Sequence, residues 1–534
     1  MNVNNSAFPR RTGPLWGLPD STDGYALAVV IILALVSAVM VAAFMGMTLT
    51  EYMIVDSNSD SIAAFHVAEA GLEKGERLLY EDMTNTPGGS VPSWSDGRFY
   101  FDSYDGGYAV DDAITYFPDF RVMAGPIEFA DGTYTVEIAN IAGFDDTVWL
   151  RSTGTFDGKT RAVLSKYRIK NLNPWNNAIF AGAGAAGRAI NGNVDIRGSV
   201  HILGEEANRG TVMEMTGGAY VGNNYIGLPW ELSSRIPMIA EMVDGRLFES
   251  LDTEVRVRYG QVSISGSAGV GSSGTGTIEY DAQIGDAKMR VDGTYVTDGW
   301  TGNKGASAVY SDNGTNEPYD LPDDTFDGFP KLSDPYEAYD SYTDYLRARG
   351  LVISDPAALA QLSNITRSSS FSYSNENGSI SADGSGNLTI SGIVVIEGDF
   401  GIGKDNSGMM YYQGAGSVLA TGNVMIKNDL IVRSGQMFPT TSILGVMTPN
   451  TITFDRSQLY VQGIFYAEQQ ITSTKQTIVT GTFFADYFDM GTNVPNIFQV
   501  PSAVYHLPQG MFGGLNVFSL RRDCFREVDL GETQ

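Results

Sequence analysis

Residues 25–83 carry an uninterrupted helical pattern. Uncharged, largely apolar residues run from Tyr25 to Thr50, which exceeds the roughly 20 residues that a membrane-spanning helix needs. From there to Met83, apolar and small residues recur at helical spacing among charged ones, as in an amphipathic helix. No proline lies between Tyr25 and Met83. The pattern therefore predicts one continuous helix, with a transmembrane first half and an amphipathic second half.

Charges on either side of the apolar segment predict its orientation. Arg10 and Arg11 precede it, whereas Glu51 and Asp56 follow it. The positive-inside tendency therefore places the N-terminus in the cytoplasm and the rest of the chain across the membrane. The apolar segment is also longer than the roughly 7–15 apolar residues of a secretory signal peptide, so we expect a single-pass anchor.

Residues 84–173 alternate short apolar runs with turns. The period-two alternation over residues 132–141 and 147–169 is typical of strands. Between the two halves of the second stretch lies Asp157-Gly158, a dipeptide that favours a two-residue β-hairpin turn. We therefore predict a small antiparallel β head that packs on the second half of the helix.

Residues 174–534 read as short strands punctuated by glycine. The stretches LYVQGIFYA (residues 459–467) and TIVTGTFFA (residues 477–485) are similar, and their glycines, Gly463 and Gly481, recur at the spacing of one solenoid coil. This favours a β-helix or related β-solenoid body.

A second pair of stretches also supports repetition. INGNVDIRGSV (residues 190–200) and ISGIVVIEGDF (residues 390–400) share a template of Ile, Val and Gly positions. Because the repeats are irregular, a β-sandwich is the alternative. The predicted fold class is mainly β with one long N-terminal α-helix.

An acidic, aromatic insertion interrupts the body at about residues 312–350. Ser333, followed by Asp334-Pro335, is a helix-start signal. A stripe at helical spacing follows it, formed by Tyr336, Tyr339, Tyr342 and Leu346. We expect this insertion to be either a docked helix or a surface flap.

Charge and composition exclude several classes of function. The chain has 534 residues with 34 Lys+Arg and 62 Asp+Glu, a formal net charge of −28, and all of it lies after Thr50. Such acidity argues against nucleic-acid binding. A lone cysteine, Cys524, and three scattered histidines leave little material for a disulfide framework, a zinc site or a catalytic triad. We therefore expect no enzyme activity.

Three motifs suggest ligands but lack the context that these ligands need. Residues 182–187 match G-x-G-x-x-G, and residues 398–405 nearly match a P-loop, but strand-like sequence replaces the helix that would receive phosphate. Four carboxylates in the insertion are of the kind that binds calcium, although their spacing is not that of an EF-hand: Asp320, Asp323, Asp324 and Asp327. We expect no cofactor and interpret these carboxylates as a solvated acidic surface, with calcium as the alternative.

The N-terminal residues resemble a known family. A leader over residues 1–24 that ends in Gly24, an aromatic Tyr25, an apolar helix and then AFHVAEAGLEKG (residues 64–75) resemble PilX-type type IV pilus assembly proteins. The motif AEAGLE comprises Ala68, Glu69, Ala70, Gly71, Leu72 and Glu73. The resemblance implies a prepilin cut between Gly24 and Tyr25 by a prepilin peptidase, with N-methylation of the new terminus. It also implies that the helix packs with other pilins.

The sequence departs from the major-pilin pattern at one informative position. The fifth residue after the predicted cut is Val29, where the resemblance implies a glutamate that pairs with a neighbouring terminal amine. An unpaired charge in an apolar helix bundle is costly, so a subunit with Val29 fits a place that has no partner amine. This favours a minor pilin at the filament tip or in assembly priming. We expect its β body to be displayed for cell adhesion or surface contact.

Two alternatives remain open from the sequence. One is a type II secretion pseudopilin, which would share the helix and the missing glutamate. The other is a membrane-anchored surface protein that binds carbohydrate or acts as an enzyme. Under the leading hypothesis the precursor sits in the bacterial inner membrane, and the mature chain reaches the pilus or the cell surface.

Overall fold

The fold is known from a computed structural model. It describes residues 23–85, 120–141, 144–184, 189–239, 241–243, 246–273, 286–322, 325–326, 328–404, 408–473, 475–491, 495–512 and 518–528. The predicted leader, with Arg10 and Arg11, lies outside these residues apart from its last two, and so do Asp323, Asp324 and Asp327 of the insertion.

The first element is a single long helix, α1, which spans Asp23–Asn85 and has 63 residues. At a rise of 1.5 Å per residue it is about 95 Å long. The helix begins two residues before Tyr25 and ends two residues after Met83. The predicted continuous helix is therefore present at nearly the predicted bounds.

A five-stranded antiparallel sheet packs on the second half of α1. Its order follows the chain except for the last strand, and it consists of β1 (Arg121–Phe129), β2 (Gly132–Ile141), β3 (Phe144–Phe156), β4 (Lys159–Asn171) and β33 (Phe518–Val528). We call it the head sheet.

The predicted hairpin joins β3 to β4. Phe156 pairs with Lys159, so the turn consists of Asp157 and Gly158 alone. Both have positive φ, 41° and 77°, as the type I′ turn of a two-residue hairpin requires. The structure confirms this part of the sequence analysis.

The strand that closes the head sheet comes from the far end of the chain. β33 pairs with β4 along its length, from Phe518 opposite Asn171 to Val528 opposite Ala162. The predicted body, residues 174–534, includes this strand, because its pairing with β4 is non-local and leaves no signal in the nearby sequence. The body is instead inserted between two neighbouring strands of the head sheet.

Short parallel strands form the body. Those before residue 310 are β5 (Ile179–Ala181), β6 (Ile190–Gly192), β7 (Asp195–Arg197), β8 (Val200–Ile202), β9 (Thr211–Met215), β10 (Tyr220–Gly222), β13 (Glu254–Val257), β14 (Gln261–Ile264), β15 (Gly269–Val270), β17 (Gly293–Val296) and β18 (Trp300–Thr301). We call residues 179–309 the early coils.

The strands after residue 350 continue the same stack. They are β19 (Leu351–Ile353), β20 (Ser370–Ser374), β21 (Gly378–Asp383), β22 (Asn387–Ile396), β23 (Phe400–Ile402), β24 (Met410–Gln413), β25 (Ala415–Ala420), β26 (Val424–Ile426), β27 (Leu430–Val432), β28 (Ile443–Thr448), β29 (Thr451–Phe454), β30 (Leu459–Ser473), β31 (Thr477–Asp489) and β32 (Asn496–Phe498). We call residues 351–498 the late coils.

The coils contribute their strands to three parallel ladders. In the first ladder the strand order is β19, β22, β25, β28, β30, β31, β5, β8, β13 and β17. In the second it is β23, β26, β29, β30, β31, β6, β9, β14 and β18. In the third it is β22, β24, β27, β30, β31, β32, β7, β10 and β15. Only the β20–β21–β22 meander is antiparallel among these strands. The fold class is confirmed: one long helix and a large, solenoid-like β body, whose parallel pairing differs from that of a β-sandwich.

The stack does not follow the order of the chain. The last late coil pairs directly with the first early coil, at Phe483 with Ile179 and at Asn496 with Asp195. The chain therefore enters the solenoid in the middle, coils outward, returns to the opposite end and coils back. We call the contact between β31–β32 and β5–β7 the joint.

One predicted repeat is real and the other is not. Gly463 pairs with Gly481, and the flanking strands match from Leu459–Thr477 to Ala467–Ala485, so these stretches are successive coils. In contrast, Ile190 pairs with Met213 in the second ladder, whereas Ile390 pairs antiparallel with Ile380. Glycine recurs at the turns of any coil, which explains the misleading template.

The acidic insertion connects the end of the early coils to the start of the late coils, and the chain runs back along the solenoid in it. Its helix is α3 (Tyr342–Arg349), whose N-cap is Ser341 with its hydroxyl on the amide of Asp344. The predicted start at Ser333 is wrong, because Tyr336 and Tyr339 pair with each other in a tight turn before the helix begins.

The remaining elements are small. They are the helices α2 (Trp230–Ser233) and α4 (Pro356–Leu362), and a side sheet of β11 (Glu241–Val243), β12 (Arg246–Glu249) and β16 (Asp286–Ala287). α4 buries Ala358 and Leu362 near the start of the late coils.

Candidate functional site

The first half of α1 presents apolar side chains on all sides. Tyr25, Val29 and Phe44 are 79%, 43% and 66% exposed, and the large apolar residues between Tyr25 and Val55 are similarly bare. Among the described residues, α1 is the one helix that is long enough and apolar enough to cross a membrane. Exposure on this scale marks a surface that lipid or other helices cover.

Polar groups within this apolar segment are satisfied by the helix itself. The hydroxyl of Thr48 donates to the carbonyl oxygen of Phe44 at 2.9 Å, and that of Thr50 donates to the carbonyl oxygen of Gly46 at 2.8 Å. This i−4 bonding is how threonine is accommodated in lipid. The segment therefore needs no polar partner.

The predicted processing residues lie at the start of this helix. Gly24 and Tyr25 are both within α1, whose first residue is Asp23. Val29 lies on the exposed apolar surface, with apolar Leu27, Val30 and Ile31 close along the chain and more than half exposed. The predicted cut after Gly24 stays a prediction.

The second half of α1 packs on the head sheet through a regular stripe. Its members recur every three or four residues and are buried, as expected of the inner face of an amphipathic helix: Ala64, Val67, Ala68, Gly71, Leu72, Gly75 and Leu79. Tyr134, Val136, Val148, Leu150 and Val163 of the sheet belong to the same core.

Small residues bring the helix and the sheet unusually close. A Cβ atom added to Gly71 would lie 2.2 Å from the Ser152 hydroxyl oxygen, and one added to Gly154 would lie 2.5 Å from the Ala64 carbonyl oxygen. A side chain at Gly154 would meet the backbone of α1 and displace the helix, whereas one at Gly71 would displace the side chain of Ser152 or Tyr134. The AEAGLE motif thus has a role inside the chain, in docking the helix on its own head.

Residues of AEAGLE divide between two surfaces. Ala68, Gly71 and Leu72 are buried against the head sheet. Glu69 is half-buried and contacts His66 Nδ1 at 2.9 Å, and Glu73 is exposed. Ala70 is half-buried. The motif therefore leaves only its acidic and outer residues accessible at the surface.

A polar contact that the sequence analysis missed locks the helix to the sheet. Tyr167 of β4 donates its hydroxyl to Glu76 at 2.9 Å, and Arg522 of β33 reaches the same carboxylate oxygen at 2.7 Å. Burial, together with the negative charge of Glu76, raises the pKa of Tyr167 to about 12. No local signal pairs these residues, because the body separates β4 from β33 in the chain.

The described residues among 319–346, which we call the strap, lie against strands of the first ladder. Tyr319 lies 2.8 Å from His201 Nε2, and the amide of Leu332 donates to Glu468 at 3.0 Å. Tyr342 donates its hydroxyl to the carbonyl oxygen of Gly510. The strap spans from the early to the late coils, so the insertion is docked and is not a free flap.

Asp320 is engaged by a buried arginine rather than presented to a metal. Its two carboxylate oxygens lie 2.9 and 3.1 Å from the Nε and Nη2 atoms of Arg256, which also contacts Glu254. Burial opposes the charge of Arg256, but the two carboxylates raise its pKa above the usual range. No group of three or more His, Cys, Asp or Glu residues suited to a metal occurs in the described ranges.

Neither nucleotide-like motif is followed by a helix in the part of the chain that the structure describes. Residues 182–187 follow β5, and β6 begins at Ile190; residues 185–188 lie outside the described residues. The P-loop-like stretch contains β23 and is followed by β24 from Met410, with residues 405–407 outside. The side chain of Cys524 is likewise not described.

Comparison with known proteins finds similarity to a solved structure. No protein-family model and no curated protein sequence matches the chain. The competence-associated pilin ComZ from Thermus thermophilus is similar over 88% of this chain and 97% of its own, with 20% identity and a TM-score of 0.49. Similarity at this level does not establish a shared function.

Proposed function

We propose that this chain is a pilin-like subunit of a type IV pilus or a related filament. The observation that carries the proposal is the division of α1 into two halves. One half is apolar on all sides and open, and the other is fixed by Gly71 and Leu72 to the chain's own sheet. Such a helix anchors the precursor in a membrane, and in a filament its open half packs against the helices of other pilins.

Val29 supports a minor position in the filament. The segment from Tyr25 to Thr50 contains no charge, so it neither offers nor requires a buried ion pair with a neighbouring terminus. A subunit at the tip, or one that primes assembly, is compatible with that neutrality. The resemblance of the N-terminal residues to PilX-type proteins supports this proposal.

The body is suited to display. Its chain leaves the head sheet after Asn171 and returns at Phe518, which pairs with Asn171. The large body is thus carried on two adjacent strands, away from the apolar half of α1. We propose that it serves adhesion or surface contact outside the cell.

The mature N-terminus tests the proposal. Mass spectrometry of the chain from its native host should find a polypeptide that begins at Tyr25 and carries an N-methyl group. A Gly24→Ala variant should accumulate as the uncut precursor in the inner membrane, because a prepilin peptidase would no longer cut it. Gly46→Ala, where a Cβ meets nothing within 4 Å, is the matched control and should be processed normally. A native chain that retains Met1 would contradict the proposal.

Filament position requires a separate measurement. Immunogold labelling against the body should mark one end of purified filaments, with little label along the shaft. Replacing Val29 with Glu should shift the label toward the shaft if neutrality at this position sets the location. Even labelling of wild-type filaments would refute the tip position while leaving a pilin-like role in place.

A further inference from the structure

Three polar side chains meet inside the early coils, far from α1. Asn223 follows β10, Lys288 follows β16 and Asp292 precedes β17. Asn223 is fully buried, and the side chains of Lys288 and Asp292 are only 12% and 8% exposed. The pilin-like role assigns no task to this group.

The carboxylate of Asp292 bridges the other two side chains. Its Oδ1 atom contacts the ammonium nitrogen of Lys288. Its Oδ2 atom accepts a 2.7 Å hydrogen bond from the amide nitrogen of Asn223. One acid–base group thus touches both an amine and the amide nitrogen that an attack on Asn223 would expel.

The carbonyl oxygen of the same amide lies between backbone donors. Asn223 Oδ1 accepts hydrogen bonds from the amide groups of Leu251 at 3.1 Å and Thr253 at 2.9 Å. Two backbone N–H groups on one carbonyl oxygen polarise it and stabilise the negative charge that develops during nucleophilic attack. The site therefore combines a nucleophile, an acid–base group and an oxyanion site.

The backbone holds these groups in place. The amide of Asp292 donates to the carbonyl oxygen of Thr253 at 2.9 Å, and that of Lys288 donates to the carbonyl oxygen of Glu249 at 2.8 Å. Lys288 also lies 3.1 Å from Asp312 Oδ2, so its ammonium contacts two carboxylates.

We propose that Lys288 and Asn223 form an intramolecular isopeptide bond. Asp292 takes a proton from the Lys288 ammonium, and the free Nζ attacks Cγ of Asn223. The N–C bond forms, Asp292 passes this proton to Nδ2, and the Cγ–Nδ2 bond breaks. Asp292 then takes the second proton that the new amide nitrogen loses and passes it to the departing ammonia. The products are a secondary amide and one ammonia, which leaves as ammonium, so no oxidant or cofactor is needed.

The bond would covalently close the loop from Asn223 to Lys288. That loop contains β13, β14 and β15, which belong to the three ladders, as well as β11, β12 and β16 of the side sheet. Because a cross-link restricts the unfolded chain, it stabilises the folded one. A body displayed outside the cell would keep these coils stacked under load.

Intact-mass and peptide mapping of the full chain test this proposal. The folded protein should weigh one ammonia less than its sequence, and digestion should release the Asn223 and Lys288 peptides joined as one species. Succinimide formation at an Asn-Gly pair also releases ammonia, so the joined peptide is the decisive observation. A folded protein in which both peptides are recovered unjoined would overturn the proposal and leave the group as an ion pair only.

Variants identify the atoms involved. Lys288→Arg keeps the positive charge beside Asp292 but removes the amine. The intact mass of this variant should equal the mass calculated from its sequence, with no loss of ammonia. Asp292→Asn should do the same with both reacting residues intact. Lys304→Arg, at an exposed lysine, is the matched control and should keep the joined peptide. Joined peptides in Lys288→Arg would overturn the assignment.

Discussion

Tyr167 donates its hydroxyl hydrogen to the Glu76 carboxylate at 2.9 Å, and this contact ties the head sheet to the long helix. Arg522 approaches the same oxygen from β33. Helix, inner strand and last strand thus meet at one carboxylate. Since β33 lies beyond the body in the chain, the lock forms only when the solenoid has brought Phe518 back to the head.

Removing the hydroxyl should weaken this lock. We expect Tyr167→Phe to lower the free energy of unfolding by about 1.5 kcal/mol or more, because a hydrogen bond to a charged acceptor is lost at a buried site. Denaturant titration of the detergent-solubilised chain measures it. Tyr52→Phe, at a tyrosine that is 69% exposed, is the control and should be neutral. Equal stabilities of the two variants would contradict the expectation.

The same tyrosine should make stability depend on alkaline pH. Burial and Glu76 raise the pKa of Tyr167 to about 12 from the model-peptide value of 10.0. Its contribution is therefore complete below pH 10 and is lost as the pH rises toward 12, where the unfolded chain ionises first. The wild-type minus Tyr167→Phe difference in unfolding free energy should shrink across this window. A difference that stays constant would show that the hydroxyl is not protected.

Replacing glycine with alanine should have different effects on stability at two positions in the helix. At Gly71 a Cβ meets the Ser152 hydroxyl oxygen at 2.2 Å, whereas at Gly46 it meets nothing within 4 Å. We expect Gly71→Ala to destabilise the docked helix by about 1–3 kcal/mol through overpacking. Gly46→Ala should be neutral or slightly stabilising, since alanine favours helix. Thermal unfolding followed by circular dichroism separates the two, and equal effects would mean that close packing at Gly71 does not matter.

The sequence reveals local order well and long-range order poorly. The helix over residues 25–83, the Asp157-Gly158 turn and the Gly463–Gly481 repeat all carry their own signals within a few residues. The joint at Phe483 and Ile179 has no such signal, because any coil of similar width could pair there.

The candidate site shows the same limit. Alternation of small and apolar residues identifies the buried face of α1, including Ala68 and Gly71. It does not say whether that face meets another subunit or the chain's own sheet. Nor could the spacing of Asp320 reveal its pairing with Arg256, since their elements come together only when the strap crosses the early coils.

Arg256 and Arg347 both bind carboxylates near the strap, but replacing them should lower the free energy of unfolding by different amounts. The side chain of Arg256 is 9% exposed and holds Glu254 and Asp320, whereas that of Arg347 is 40% exposed and holds Glu397. We expect Arg256→Ala to cost about 3–5 kcal/mol, because it takes the positive charge away from the buried Glu254 carboxylate and the partly buried Asp320 carboxylate. Arg347→Ala should cost about 1 kcal/mol or less.

Chemical denaturation of the two variants in parallel tests this difference. Arg256→Met, which fills the space without a charge, should be no better than Arg256→Ala if the unpaired carboxylates dominate. A cost at Arg347 equal to that at Arg256 would contradict the role given to burial.

Cutting the strap should not separate the two sets of coils. Glu337 and Ala338 are exposed in the turn before α3, so a protease site inserted between them should be accessible. The early and late coils should stay together after cleavage, because all three ladders cross the joint and β33 still pairs with β4. Native size-exclusion chromatography should give one particle where a denaturing gel gives two fragments.

Weakening the joint in the cut protein should then release the fragments. Phe484 is buried in β31 and contacts Trp175, Phe180 and Phe329 across and above the joint. Phe484→Ala should cost about 3–5 kcal/mol through the cavity that it leaves, so the cut variant should dissociate at a lower denaturant concentration than the cut wild type. Spontaneous separation of the cut wild type would mean that the strap, rather than the ladders, holds the solenoid together.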